Sequence, residues 1–200
     1  MKNEDSYAFT RRGERLEGGI RTALEAWCKN RDAAKDQYGP IASWNTSEIT
    51  NMAYLFCNKA GFNEDISRWD VSNVTSLDGT FHGASSFNGD LSRWDVSNVT
   101  SLISTFSQAT SFNGDLSRWD VSNVTNMYCT FNHAISFNGD LSCWDVSKVI
   151  TMMYMFFGAT SFDQQLGGAW ARSKASKSSM FYRSSGSIVG KTNDACGTPV

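Results

Sequence analysis

The side chains of this chain that could do chemistry stand in columns. Asp70, Asp95, Asp120 and Asp145 recur at intervals of 25 residues, and Arg68, Arg93 and Arg118 precede the first three by two positions; Cys143 stands where a fourth arginine would. A second acidic set, Asp65, Asp90, Asp115 and Asp140, follows Asn63, Asn88, Asn113 and Asn138 by two. Carboxylates repeated in this way have three uses. They can neutralise the arginines in a lattice of exposed ion pairs, each contributing at most about 1 kcal/mol. They can hold Ca²⁺, but that ion needs a closed shell of about six to eight oxygens. They can also present a charged strip to a protein or peptide. The second set sits in Asn-x-Asp turns, where Asx side chains bond the turn backbone, so its reading is structural.

The other reactive types form no constellation. His82 and His133 are the only histidines, and they occupy different positions of the period. No Ser–His–Asp arrangement and no glycine-rich phosphate loop occurs. The five cysteines are odd in number and irregular in spacing, with no Cys-x-x-Cys. Neither a zinc site nor a disulfide framework follows, and the thiols are expected to be reduced and unpaired. Asn45, Asn73, Asn98 and Asn123 head formal glycosylation sequons, which here are by-products of a copied turn. No catalytic residue, metal ligand or cofactor site is assigned.

What must position these columns is the period itself. Trp44, Trp69, Trp94, Trp119 and Trp144 are 25 apart, as are Phe56 to Phe156 and Phe62 to Phe162, and residues 69–93 agree with 94–118 at 20 of 25 positions. Within one unit, Trp94 and Val96 alternate with Arg93, Asp95 and Ser97, a period of two that predicts a short strand with one buried face. Val99, Leu102, Phe106 and Ala109 follow at spacings of 3, 4 and 3, which predicts a short helix or 3₁₀ segment. One such coil cannot bury its apolar side alone. Stacking makes columns of Leu, Trp, Val, Val, Leu/Met, Phe, Ala and Phe into one core. The tryptophans are read as core rather than as a sugar-binding strip, because they take the inward phase.

The expected fold is therefore an α/β repeat solenoid, leucine-rich-repeat-like, with about five 25-residue coils, each having one short strand and one short helix or 3₁₀ segment. Residues 1–13 are expected to be frayed. Residues 14–40 are expected to form an N-terminal capping helix on Leu16, Ile20, Ala23, Leu24 and Trp27, ending before Gly39-Pro40. Residues 41–170 form the solenoid. Residues 171–200 are expected to be a degenerate C-terminal cap and mobile tail, in which Met180-Phe181-Tyr182 echoes Met155-Phe156-Phe157.

The run Trp-Asp-Val-Ser-Asn-Val-Thr at 69–75, 94–100 and 119–125, with Ser-Phe-Asn-Gly-Asp-Leu-Ser at 86–92, 111–117 and 136–142, resembles the repeat of BspA-like surface proteins, a lipoprotein-type family of unknown function. The approach through Tyr38-Gly39-Pro40-Ile41-Ala42-Ser43-Trp44 is similar too. The resemblance implies a leucine-rich-repeat-like solenoid, a surface location and, for some members, adhesion through host proteins. It implies no catalytic residues. Asn45 in place of the usual Asp, and Lys148-Val149-Ile150 in place of Asn-Val-Thr, depart from the pattern.

Bulk properties narrow the partners. A net charge of −2 gives no general attraction to nucleic acid. No apolar run reaches the length of a transmembrane helix. Met1-Lys2-Asn3-Glu4-Asp5-Ser6 carries no apolar leader, so the chain as written is expected inside the cell, whereas the resemblance points to the surface. The functional expectation is a non-catalytic protein-interaction or adhesion-type scaffold. It offers Arg68, Asp70, Arg93, Asp95, Arg118, Asp120 and Asp145 to a protein or peptide. A structural spacer and a polysaccharide-active solenoid enzyme are the alternatives. The copies disagree chiefly at Asp78/Ile103, Gly79/Ser104, His82/Ser107 and Gly83/Gln108, a second place where specificity could be installed.

Overall fold

The computed structural model of the chain describes residues 10–11, 14–15 and 19–190. Strands β1 (Thr10–Arg11) and β2 (Glu14–Arg15) pair antiparallel. The rest of the expected frayed start, Leu16 and the expected mobile tail beyond residue 190 lie outside the described residues.

The single capping helix is corrected to two. Helix α1 (Gly19–Lys29) buries Ile20, Ala23, Leu24 and Trp27, the face that the spacing predicts. Helix α2 (Arg31–Tyr38) starts afresh, because Asn30 leaves helical geometry and its side-chain oxygen accepts from the Ala33 amide at 3.1 Å. Asparagine gains more as a cap than inside a helix. Gly39, at φ 79°, ends α2 where the Gly-Pro pair predicts. Trp27 and Tyr38 meet the ring of Trp44 edge-on, at 5.8 and 6.4 Å, so both helices close on the first unit.

Within the units the predicted strand and helix do not form. Each unit is built from successive turns. In the third, Trp94 donates to the Leu91 carbonyl, Val99 to Val96, Thr105 to Leu102, Ala109 to Phe106 and Phe112 to Ala109. The Trp94/Val96 alternation is real in burial but lasts one period. It marks a corner between two turns, with Asp95 outside. The 3-4-3 spacing beyond it is satisfied without a helix. Ser104 and Gln108 adopt left-handed backbone, at φ 53° and 59°, which turns alternate amides outward along the stack. Leu102, Ser104, Phe106 and Gln108 donate to the carbonyls of Asn126, Tyr128, Thr130 and Asn132 in the next unit, at 2.7 to 2.9 Å. The same ladder recurs in every unit from Met52 to Gly158. Isolated parallel bridges run Asn51, Ser76, Ser101, Asn126, Thr151, Ser176 beside it.

The core is one continuous cluster from Ile20 to Met180. Phe56, Phe81, Phe106, Phe131, Phe156 and Phe181 stack with centroids 5.1 to 5.5 Å apart. A buried tryptophan needs an acceptor for its indole N–H. Trp69, Trp94, Trp119 and Trp144 donate to the carbonyls of Ile41, Ile66, Leu91 and Leu116, each 28 residues back in the preceding unit. Thr80, Thr105 and Thr130, fully buried, donate across units in the same way to Met52, Leu77 and Leu102. The threonine column belongs to the core, which the apolar pattern had not shown.

Past residue 170 the stacking continues. Helix α3 (Ala169–Arg172) absorbs the extra residue while Trp170 stays buried and donates to Leu141. Strand β3 (Gln165–Leu166) pairs in parallel with β4 (Ser187–Ile188). Phe181 lies on Phe156 and Tyr182 on Phe157, so the Met180-Phe181-Tyr182 echo is spatial as well as sequential, and the stack extends beyond the boundary expected at residue 170.

Candidate interaction face

The strip residues Arg68, Asp70, Arg93, Asp95, Arg118, Asp120 and Asp145 are all exposed, at the corners between turns. Each aspartate holds its own corner. Oδ1 of Asp70, Asp95, Asp120 and Asp145 accepts from the amide of the serine two residues on, at 3.0 to 3.1 Å. Asp65, Asp90, Asp115 and Asp140 make the same bond to Ser67, Ser92, Ser117 and Ser142. The two acidic columns therefore do one job: each fastens an Asp-x-Ser turn. Bonds to the ionised form favour it. The hydroxyl and amide of Ser72 hold the Asp70 carboxyl below the usual carboxylate range, and those of Ser122, aided by Lys148, do so for Asp120.

The lattice of Arg–Asp pairs along the strip is not present. An ion pair does form away from the strip, between Arg31 of α2 and Glu64 of the first unit. The carboxylates that feel the strip arginines are those three residues earlier: Asp65 for Arg68, Asp90 for Arg93 and Asp115 for Arg118. The expectation paired residues two apart along a strand. With no strand there, arginine and the preceding turn share a corner instead. The guanidinium groups of Arg68, Arg93 and Arg118 are left projecting.

The asparagines are structural. The amides of Asn88, Asn113 and Asn138 donate to Oδ1 of Asn63, Asn88 and Asn113 in a side-chain ladder. The sequon residues Asn73, Asn98 and Asn123 use their side-chain nitrogens to donate to Ser47, Ser72 and Ser97, each in the preceding unit. Lys148 keeps that link with its ammonium on Asn123 Oδ1 at 2.7 Å.

The thiol expectation is corrected at Cys143, which is disulfide-bonded. Cys28, Cys57 and Cys129 are free, and burial pushes the Cys28 and Cys129 thiols up, away from the reactive thiolate. His133 contacts Asn132 Oδ1 and the ring of Phe157, while His82 lies half-buried with Nδ1 unbonded. Among the described residues no group of three or more metal-ligating side chains forms. No helix among the described residues is long and apolar enough to cross a membrane.

The positions at which copies differ lie on the ladder. Gly79/Ser104 and Gly83/Gln108 are its left-handed residues. An open groove of about 480 Å³ runs beside them, lined by Asn58, Gly83, Gln108 and His133 together with Ser85, Thr110 and Ile135. Toward the C-terminal units this face gathers Tyr128, Tyr154, Phe157 and Tyr182 in ring contact.

A 25-residue period with matching bonds between units defines a tandem-repeat protein. The chain belongs to the family described as Mycoplasma protein of unknown function, DUF285, whose model matches residues 23–128 and again residues 93–189. No curated protein and no solved structure matches it.

Proposed function

We propose that the chain is a non-catalytic interaction scaffold, a leucine-rich-repeat-like solenoid of the BspA-like kind, whose charged strip binds a protein partner. The observation that carries this reading is the state of the strip. Its aspartates are pinned by their own turns, and Arg68, Arg93 and Arg118 project without a hydrogen-bonded partner among the described residues. Three guanidinium groups held at a fixed interval on a stiff support form a preorganised recognition element, because little ordering remains to be done on binding. A spacer without a ligand has no use for this arrangement. A polysaccharide-active enzyme would need a base outside the repeat, and the carboxylates of the strip are committed to turns.

The test is retention of partners from the source organism by the wild-type chain and by the triple variant Arg68→Glu, Arg93→Glu, Arg118→Glu. Loss of partners with unchanged thermal stability supports the strip. Retention of every partner removes it. Turnover on a polysaccharide panel, abolished by one Asp→Asn change, would replace the scaffold reading with an enzymatic one.

A further inference from the structure

The stack begins with an unfinished contact. In later units two amides of one turn donate backward to the unit before. Ser86, Ser111 and Ser161 donate to the carbonyls of Ala60, Ser85 and Ile135. Asn88, Asn113 and Asn138 donate to the side-chain oxygens of Asn63, Asn88 and Asn113. The first unit has Gly61 and Asn63 at these positions, and no unit precedes it. Its turn has the same shape, since Phe62 donates to Lys59 as Phe87 does to Ala84. The amides of Gly61 and Asn63 therefore face the helical cap, and they have no acceptor among the described residues.

The cap does not fill the space in front of them. A cavity of about 380 Å³ lies between α1 and α2 on one side and the turn at 59–64 on the other. Trp27 and Phe62 give it apolar walls. Phe62 opens its column, with Phe87 stacked on it at 6.0 Å and no earlier ring of the column before it. Trp27 is buried with its indole N–H unbonded, whereas Trp44, Trp69, Trp94, Trp119, Trp144 and Trp170 each donate to a carbonyl.

Charge in the cavity is divided. The Glu64 carboxylate is engaged by Arg31. Lys59 lines the same cavity, half-buried, and its ammonium has no partner among the described residues. Both Lys59 and Glu64 act on the Cys28 thiol, in opposite senses, so the three converge on one point. What the cavity holds in excess is hydrogen-bond donors and one positive charge.

We propose that this cavity binds a small organic acid, a monocarboxylate on a flat apolar body. The carboxylate accepts from the amides of Gly61 and Asn63 and from the Lys59 ammonium, bonds that the charge strengthens. The body lies against Trp27 and Phe62. An apolar cleft with a few placed polar groups is the usual form of a small-molecule site. Glu64 stands against a second carboxylate or a phosphate dianion. The site shares no residue with the charged strip and does not depend on it.

Titration calorimetry on the full chain tests the proposal, with naphthylacetate as probe and naphthylacetamide and naphthyl phosphate as controls. The acid should bind with a Kd below about 1 mM, and each control about tenfold more weakly. Lys59→Ala should weaken binding of the acid about tenfold and leave the amide unchanged, while Glu64→Gln should tighten the acid about threefold. Thermal unfolding reports whether both variants keep the fold. A further readout needs no variant: saturating acid should slow alkylation of Cys28 by iodoacetamide about fivefold or more and leave Cys57 and Cys129 unaffected. Absence of binding by the acid overturns the proposal, as does binding of either control as tight as that of the acid. So does an unprotected Cys28, or an affinity for the acid that folded Lys59→Ala leaves unchanged or folded Glu64→Gln lowers. Partner retention through Arg68, Arg93 and Arg118 is read separately, so loss of one site leaves the other standing.

Discussion

The two sides of one unit use different means to the same end. On the corner side, Leu91 to Val99, side chains hold the backbone: Asp90 and Asp95 fasten Ser92 and Ser97, and Asn98 reaches back to Ser72. On the ladder side, Leu102 to Gln108, the backbone holds itself by amide bonds to the next unit. The sequence divides along the same line. Asp, Ser and Asn at the corners are copied nearly unchanged, while the left-handed ladder residues drift among Tyr, Gly, Ser, Cys, Asn, Gln, His and Arg. Where side-chain chemistry makes the structural bond, the residue is fixed. Where the main chain makes it, the outward side chain is released for other use.

Five changes sharpen or break that contrast. The largest effect belongs to neither side but to the core they share. Phe106→Ala, at a fully buried ring stacked on both neighbours, should cost about 3–5 kcal/mol in urea unfolding. A cost below that of the ladder variants would mean that the column is not what joins the two sides. Next is Gly79→Ala on the ladder. Left-handed backbone there costs about 1–2 kcal/mol for a residue with a Cβ, and the new Cβ would lie 2.4 Å from the Tyr54 ring. Placing the change in a Tyr54→Ala background should remove the steric part and leave the backbone part, a split that a double-mutant cycle measures.

On the corner side, Asp95→Ala should cost about 1 kcal/mol, one hydrogen bond of a turn. The charge-dependent share is read by pH. The folded pKa values of Asp70 and Asp120 lie below the unfolded value of about 3.9, chiefly through the hydroxyls and amides of Ser72 and Ser122. The stability they contribute is therefore present above about pH 4 and is lost as pH falls through the lowered folded values. The double change Asp70→Asn, Asp120→Asn should flatten the fall in melting temperature between neutral and acid solution, and an unchanged slope would show that these carboxylates are not part of the fold's acid sensitivity. The smallest effect is a gain. Ser104→Gly should relieve left-handed strain against the larger backbone entropy of glycine, a net of about 0.5 kcal/mol. A loss would place a needed side-chain contact at Ser104.

The apolar columns were legible because burial depends only on spacing, and Trp94, Val96, Phe106 and Phe112 announce theirs every 25 residues. The direction of the backbone was not. Spacings of 3, 4 and 3 fit a helix and a run of turns equally, and what separates them is where the amides of Ser104 and Gln108 point, which no side-chain pattern records. Gly79 and Gly83, four apart and equivalent to those two residues, were the available hint of left-handed geometry. Thr80, Thr105 and Thr130 carry no burial signal in sequence because a hydroxyl reads as surface, although each finds a carbonyl inside. At the candidate site, exposure of the strip was legible, but its partners were not. Pairing Arg93 with Asp95 presupposed a strand, and the turn sets Arg93 beside Asp90 instead.

The indole bonds carry a kinetic consequence. Each of Trp69, Trp94, Trp119 and Trp144 reaches back 28 residues and no further, and the ladder bonds span a similar distance. Lengthening such a chain by another unit adds a contact of the same reach and leaves every loop to be closed the same size. Folding time should then be set by the first pair of neighbours to form, with growth by accretion on either side, and be nearly indifferent to how many copies the gene has acquired.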